Sequence, residues 1–193
     1  MDFELSDEET AIRDLARTLA EEVCAPRAAE RDQLEEFPAE EIRRAGEMGL
    51  MGLLVPESYG GTGAGNLALS LALIEINRVD ASVGVTISVH NSLCASCVNA
   101  WGSDEVKQRY LPRLARGEWL GAYALSETGS GSDAGGLTCK AHRDGDHFVL
   151  TGSKAWITSG DRADLYVLFE RTGGEVPKGV SAFAVERESP GLE

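Results

Sequence analysis

The hydrophobic pattern of the chain changes near residue 118, and this change constrains the fold more than any other feature. Before it, apolar residues recur at three- and four-residue spacing, which predicts helices. After it, short apolar runs are separated by turn residues, which predicts strands. Helices followed by strands are typical of the α+β class. We therefore expect an all-α helical domain over residues 1–117 and an antiparallel β-domain over residues 118–193, in the form of an incomplete barrel or sandwich.

Five helices are predicted in the first domain. Residues suited to a helix start mark four of them: Ser6 with Glu9, Pro38, Asn66 and Ser103. The remaining segment, residues 81–102, combines strand-like alternation with helical spacing. Its length and nearly uniform apolar character favour a buried helix over a strand.

Strands are predicted within residues 118–126, 163–172 and 179–187, together with a hairpin over 137–160. Asp144-Gly145 tolerates the positive φ angles of a tight turn and is expected at the tip of the hairpin. An open sheet of this size with one apolar face needs a cover. The strand region therefore looks incomplete and open to association.

The net charge of −14 and the pI of about 4.6 restrict the partners that the chain can bind. An acidic surface repels nucleic acid and anionic lipid, so neither is expected as a partner. The opening residues MDFELSDEET lack the apolar core of a signal peptide, and no uninterrupted apolar run has membrane-spanning length. We expect a location in the bacterial cytoplasm or in an organelle matrix.

Cys94 and Cys97 form a C-x-x-C motif. Such a motif can be a redox pair or half of a zinc site, or it can be two small residues on a buried helix. No second C-x-x-C and no His pair at ligand spacing follows, so the helix interpretation is favoured and no metal is expected.

The segment SETGSGSDAGG, residues 126–136, lies between two apolar runs. Gly129 to Ala134 match the dinucleotide fingerprint G-x-G-x-x-A, but a hairpin follows where a Rossmann fold needs a helix. A P-loop is excluded because no Gly-Lys-Ser/Thr follows. Two interpretations remain, a glycine-rich linker and a loop whose N–H groups cradle a pyrophosphate.

KAWITSG, residues 154–160, follows about 20 residues later and is expected in the returning strand of the hairpin. Trp156 offers a flat apolar face, and Thr158 offers a hydroxyl beside it. A planar cofactor needs such stacking together with a few polar contacts. Without the glycine-rich loop, Trp156 would be interpreted as an ordinary core residue.

YALSETGSGSDAGG, residues 123–136, resembles the signature of the acyl-CoA dehydrogenases. The matching positions are Ala124, Leu125, Ser126, Glu127, Ser130, Gly131, Ser132, Asp133 and Gly136. Residues 145–160 resemble the second conserved block of that family, and LPRLARGEW and VHNSL also resemble family sequence. These flavoproteins oxidise acyl-CoA thioesters to trans-2-enoyl-CoA and pass electrons to an electron-transferring flavoprotein. The resemblance covers essentially the whole chain.

The resemblance implies a set of FAD-binding residues: Tyr123, Leu125, Ser126, Gly131, Ser132, Trp156, Ile157 and Thr158. Gly131 and Ser132 would lie near the pyrophosphate, and Ser132 would also face the CoA thioester arm of the substrate. Trp156 would pack beside the flavin, and Thr158 would bond to its polar edge. Glu127 and Asp133 are expected to hold the loop. The chain has Thr128 where relatives often have proline.

The family's catalytic glutamate lies in a C-terminal helical domain, so no catalytic residue is expected before Glu193. The resemblance therefore implies a chain without the base, part of the FAD site and the helical bundle that forms a homotetramer. We expect a fragment, or a chain that needs a partner, and no activity from it alone. Two alternatives remain open: a non-catalytic subunit that completes a partner's flavin site, and a flavin oxidase or monooxygenase of the same fold.

The substrate is less clearly indicated. ISVHNSL, residues 87–93, resembles short-chain, butyryl-type relatives. Glutaryl-type relatives have an arginine at the position aligned with Gly84, and this chain has no basic residue over residues 81–88. This absence argues weakly against a dicarboxylate substrate.

Overall fold

The computed structural model describes residues 4–174 and 179–193. The chain divides into two compact units. Trp119 is the last residue of the first unit, and Leu120 is the first residue of the second.

The first unit is helical in its described part. Its helices are α1 (Asp7–Thr18), α2 (Ala28–Leu34), α3 (Ala39–Glu47), α4 (Gly65–Asn77), α5 (Ala81–Ser88), α6 (Ser96–Trp101) and α7 (Asp104–Ala115). Wider π-helical turns at Leu19–Cys24 extend α1, and those at Val89–Ala95 join α5 to α6. The sequence pattern did not predict α2 as a separate helix.

Two of the predicted caps are confirmed, and one is wrong. Ser6 and Glu9 form a reciprocal capping box, with Ser6 N donating to Glu9 Oε2 at 2.8 Å. The Ser103 hydroxyl accepts from Val106 N at 3.3 Å. Asn66 does not cap α4, because the chain enters this helix through Gly65, whose φ of +87° is readily adopted only by glycine.

Residues Ala81–Trp101 form one helical segment, as the length of the apolar run predicted. Within the described residues, this is the segment whose length and composition would allow it to cross a membrane. Core helices of globular domains pass the same test, and half of its apolar window is buried inside the unit.

The C-x-x-C motif lies on this helical segment, with Cys94 buried and Cys97 half-buried as free thiols. Burial raises the pKa of Cys94 to about 12, so its reactive thiolate is disfavoured at neutral pH. Among the described residues, no group of three or more His, Cys, Asp or Glu side chains could hold a metal ion.

Two polar residues of the π-helical turn, His90 and Asn91, are completely buried. His90 Nε2 lies 3.1 Å from the carbonyl oxygen of Leu114. The Asn91 amide donates to Leu50 O at 3.0 Å, and its oxygen accepts from Leu54 N at 3.3 Å. These side chains satisfy backbone groups that the turns around Leu50 and Leu114 would otherwise bury without partners.

The second unit is built on a sheet of β1 (Gly121–Ala124), β2 (Lys140–Asp144), β3 (His147–Thr151), β4 (Leu165–Arg171) and β5 (Val180–Glu186). The α+β class is confirmed, but the sheet is mixed rather than wholly antiparallel. β2–β3 and β4–β5 are antiparallel, whereas β4 runs parallel to β1 and meets β2 in parallel at its end. The long connection between β1 and β4 allows the chain to return in the same direction, as a parallel pair requires.

The hairpin differs from its prediction at both ends. Asp144 still pairs with His147, so the turn consists of Gly145 and Asp146 rather than Asp144-Gly145. The returning strand ends at Thr151, and residues 154–160 form a loop. Gly152 follows the strand end with a φ of +154° and lies directly against Cys139, which explains why regular pairing stops there.

Gly152→Ala is expected to lower the free energy of unfolding by about 1–3 kcal/mol, because the added methyl group overpacks a filled site. A Cβ at this position would lie 2.1 Å from the Cys139 sulfur. Urea unfolding measures the loss. Gly129→Ala is the control, since a Cβ at Gly129 meets nothing within 4 Å. Equal stability of the two variants would contradict this account.

The sheet is open rather than closed into a barrel. A cleft of about 1100 Å³ lies against it, lined by β3, β5 and the residues from Ser189 onward. Phe148 and Phe183 contact each other in this cleft with ring centroids 5.2 Å apart, and Phe148 is half-exposed.

Candidate functional site

The glycine-rich loop has a defined turn structure. Glu127 and Ser130 exchange backbone hydrogen bonds, with Glu127 N donating to Ser130 O at 2.8 Å and Ser130 N donating to Glu127 O at 3.1 Å. The Ser130 hydroxyl donates to the carbonyl of Asp133 at 2.6 Å, and Gly136 N donates to the same carbonyl at 3.0 Å. Asp133 therefore helps to hold the loop through its backbone, while its side chain is exposed.

Glu127 anchors the start of this loop, as expected. Its buried carboxylate accepts from Thr138 N at 2.7 Å and from the Thr138 hydroxyl at 2.8 Å. It also accepts from Cys139 N at 3.0 Å and from Lys154 Nζ at 2.9 Å. Burial raises the pKa of Glu127, but these hydrogen bonds outweigh burial and hold its pKa well below the usual range. The carboxylate therefore stays ionised at neutral pH.

Lys154 and Glu170 have buried charged side chains that the sequence pattern did not indicate as site residues. Besides its bond to Glu127, the Lys154 ammonium donates to the carbonyl of Phe169 and lies 3.7 Å from Glu170 Oε1. Glu170 Oε2 has no hydrogen-bond partner among the described residues. Burial raises the pKa of Glu170. The signal in the sequence was an acid within the apolar run LYVLFER, at a position that shares a face with Tyr166 and Leu168.

The two segments that carry the predicted site residues are joined by a backbone hydrogen bond. Ala155 N donates to Ser126 O at 2.9 Å, which places Ser126 beside the loop that contains Trp156. Tyr123 lies on β1, where its ring centroid is 4.8 Å from that of Phe169. Leu125 follows β1 and is half-buried.

Trp156 is 95% exposed, so it is not a core residue of this unit. Its backbone is left-handed, with a φ of +61°, and Ser159 has a φ of +60°. These angles are uncommon for residues other than glycine and are often found at ligand-binding sites. Ile157 and Thr158 are half-buried beside it.

Gly131 and Ser132 are exposed on the outer part of the glycine-rich loop. Within residues 4–174 and 179–193, their backbone N–H groups donate to no acceptor. A Cβ built at Gly131 meets nothing within 4 Å, so the surrounding space is open. No described hydrogen bond links these two residues to Trp156, Ile157 or Thr158.

Arg171 places a positive charge at the end of this loop. Its guanidinium donates to Gly135 O at 2.7 Å and to Leu137 O at 3.0 Å. Both acceptors are backbone carbonyls at the end of the loop, so the cation is held close to it. Exposed backbone N–H groups of a glycine-rich loop can bind an anion.

Two family models together match most of the chain. The model for the acyl-CoA dehydrogenase N-terminal domain matches residues 6–118, and the model for the middle domain matches residues 122–193. The chain belongs to the acyl-CoA dehydrogenase family. The resemblance inferred from the two sequence blocks is therefore confirmed.

Among acyl-CoA dehydrogenases, the short-chain specific enzyme of Clostridium acetobutylicum is 43% identical and aligns with 100% of this chain and 51% of its own length. The solved butyryl-CoA dehydrogenase of Megasphaera elsdenii is 35% identical, with a TM-score of 0.93 over 99% of this chain and 51% of that one. The chain thus spans about half the length of the relatives it matches.

Two further solved structures are similar. A chain from a structure described as the electron transferring flavoprotein of Acidaminococcus fermentans is 40% identical, with a TM-score of 0.96 over 99% of this chain and 50% of that one. A chain from the FAD complex of PigA is 27% identical, with a TM-score of 0.91 over 99% of this chain and 51% of that one.

Gly84, which the sequence analysis compared with an arginine of glutaryl-type acyl-CoA dehydrogenases, is buried where α5 approaches α4. A Cβ there would lie 2.4 Å from the Asn77 side-chain oxygen. Close helix packing is therefore sufficient to explain the glycine. That the substrate is not a dicarboxylate stays a prediction.

Proposed function

We propose that this chain supplies the N-terminal and middle domains for an FAD-dependent α,β-dehydrogenation of an acyl-CoA thioester to trans-2-enoyl-CoA. One observation carries the proposal: the backbone N–H groups of Gly131 and Ser132 have no acceptor among the described residues, in a loop whose start is bonded to the segment of an exposed Trp156. The short-chain relatives, matched over about half their length, support it. These relatives favour neither a non-catalytic subunit nor a flavin oxidase.

The glycine-rich loop fits a diphosphate. Its outward N–H groups at Gly131 and Ser132 are neutral donors, and the open space at Gly131 permits close approach of a phosphate. Arg171, bonded to Gly135 O, adds a positive charge at the end of the loop in a chain whose net charge is −14. We assign Gly131 and Ser132 to the FAD pyrophosphate and give Ser132 a second contact with the CoA arm.

The loop around Trp156 fits a flat aromatic ring system. The indole of Trp156 is 95% exposed, so a planar ligand that covers one of its faces would bury apolar surface that is now in contact with solvent. Among the described residues, the hydroxyls of Ser126 and Thr158 have no hydrogen-bond partner, and both are suited to ring heteroatoms. We assign Trp156, Ile157 and Thr158 to the flavin, together with Tyr123, Leu125 and Ser126 from the other segment.

When bound, FAD would supply the acceptor for the hydride that leaves the β-carbon of the thioester. The chain's own part in the reaction is to bind and orient the flavin and to exclude water from its face. The base that removes the α-proton is proposed to lie in sequence beyond Glu193, together with the rest of the FAD site. We also propose that an electron-transferring flavoprotein accepts the electrons, that the protein is a homo-oligomer, and that it is located in the cytoplasm or in an organelle matrix.

Trp156→Ala is expected to weaken FAD binding by about tenfold through the lost ring contact, at the upper end of the usual range for aromatic pairs. Stability should change by less than about 0.5 kcal/mol, because the side chain is exposed. Flavin fluorescence quenching during FAD titration measures affinity, and the visible spectrum after desalting measures retention.

Trp101→Ala is the control, because Trp101 is 84% exposed but lies in the helical unit. It should bind FAD as the wild-type chain does. Equal affinity of the Trp156 variant and the wild type would refute the assigned flavin contact. A wild-type chain that retains no flavin would show that these two domains need the remaining half of the protein.

A further inference from the structure

We propose that Lys154 is a positioning residue that fixes the two flavin-facing segments relative to each other before the cofactor arrives. The inference rests on the function proposed above. It concerns a cluster that we name the Glu127–Lys154 clamp, formed by Glu127, Thr138, Cys139 and Lys154.

The clamp connects the parts of the second unit that carry the site. Glu127 lies at the start of the glycine-rich loop, and Thr138 and Cys139 lie where that loop enters β2. Lys154 directly precedes Ala155, whose N–H is bonded to Ser126 O at 2.9 Å. Because the Lys154 ammonium also donates to the Phe169 carbonyl, it ties both segments to β4.

Other bonds also hold these segments: Arg171 donates to Gly135 O and Leu137 O, and Cys139 Sγ donates to Ser153 O at 3.4 Å. Lys154 adds the charged link that joins Glu127 to β4. The hydrogen bonds inside the glycine-rich loop are local, joining residues three positions apart. Trp156 gains little packing energy because it is exposed, and its left-handed backbone must be held by its surroundings. The ion pair of Lys154 and Glu127 can supply this hold, since their side chains are 8% and 6% exposed and a buried charge-assisted bond is strong.

A substitution at Glu170 can separate the positioning role of Lys154 from the general effect of altering a buried charge. Its carboxylate lies 3.7 Å from Lys154 and is buried, with 4% of the side chain exposed. It makes no described hydrogen bond to the glycine-rich loop or to residues 155–158. Glu170→Gln therefore alters the environment of the lysine and leaves the clamp in place.

The test uses the 193-residue chain and two measurements, amide hydrogen exchange without FAD and FAD titration. Lys154→Met is expected to speed exchange of the Ser130 and Ala155 amides by about tenfold and to weaken FAD binding by a similar factor, the loss of about one strong hydrogen bond. Lys154→Arg, which keeps the charge, should restore most of both properties. Glu170→Gln should leave both within about twofold of wild type.

Leu165→Ala serves as the control for stability, because Leu165 is fully buried on β4 and contacts neither segment through the clamp. It should lower the stability of the unit without selective exchange at Ser130 and Ala155. Should Lys154→Met fail to fold, Thr138→Val removes one donor to Glu127 from an exposed position and should speed the same amides by about threefold.

Unchanged exchange at Ser130 and Ala155 in the Lys154→Met or Thr138→Val chain would overturn the proposal. The same holds if Glu170→Gln reproduces the effect of Lys154→Met. The exchange measurement needs no cofactor, so it also separates the two proposals. If Lys154→Met speeds exchange but no variant binds FAD, the proposed flavin site in this chain is refuted. The Glu127–Lys154 clamp would then still hold the two segments together.

Discussion

Replacing Arg31 with methionine is expected to lower the free energy of unfolding of the first unit by about 3–5 kcal/mol. Arg31 is 3% exposed and forms ion pairs with Glu41 and, at 2.5 Å, with Asp80, both of which are also buried. It donates to the carbonyl of Cys24 as well, at 3.3 Å. Methionine matches the volume of the stem but leaves two carboxylates buried without a cation.

The loss is measured by urea unfolding at neutral pH. Arg27→Met is the matched control, because Arg27 pairs with Glu30 at 3.2 Å and Glu36 at 2.8 Å on the exposed side of the same region. That variant should change stability by less than about 1 kcal/mol. Similar losses in the two variants would contradict the assignment of a buried network.

The helical part of the fold could be predicted from the sequence because its signals are local. Ser6 and Ser103 cap helices with their own side chains and neighbouring N–H groups. The position of α4 was less predictable, since Gly65 replaces a side-chain cap with a backbone conformation. The parallel pairing of β1 with β4 was not predictable, because it depends on how the chain returns after the hairpin.

In the candidate site, too, roles that depend on local sequence could be predicted, and roles that depend on distant partners could not. Glu127 could be assigned to holding the loop from its place in the motif, and its donors at Thr138 and Cys139 confirm this. The sequence favoured an accessible ring at Trp156 because of the glycine-rich loop, but it placed the ring on a strand, whereas residues 154–160 form a loop. Lys154 was missed because its partners lie on the glycine-rich loop and β4, which are distant in sequence.

Buried polar residues of the helical unit escaped prediction for a related reason. The nearly uniform apolar character of residues 81–102 predicted a buried helix, but it did not show that His90 and Asn91 would be among its completely buried residues. Both are buried because the carbonyl groups of Leu50 and Leu114 need partners there. Only the packed structure identifies such carbonyls, and the consequence is a titratable group inside the core.

Lowering the pH from about 6.5 to 4 is expected to remove about 3 kcal/mol of stability through His90 alone. Burial lowers the pKa of His90 from 6.5 to about 4, against the opposing effect of backbone hydrogen bonds to Leu114 and Met51. Between these pH values the unfolded chain binds a proton that the folded chain does not. The free energy of unfolding therefore falls as the pH falls, and His90 has no effect above the unfolded pKa.

His90→Gln isolates this contribution, because glutamine keeps an amide donor for the Leu114 carbonyl but does not titrate. Urea unfolding at several pH values should give a smaller loss for this variant than for wild type, by about 2–3 kcal/mol between pH 6.5 and 4.5. The carboxylates titrate in both proteins and cancel in the difference. Parallel pH profiles for His90→Gln and wild type would show that His90 is protonated as readily in the folded chain as in the unfolded one.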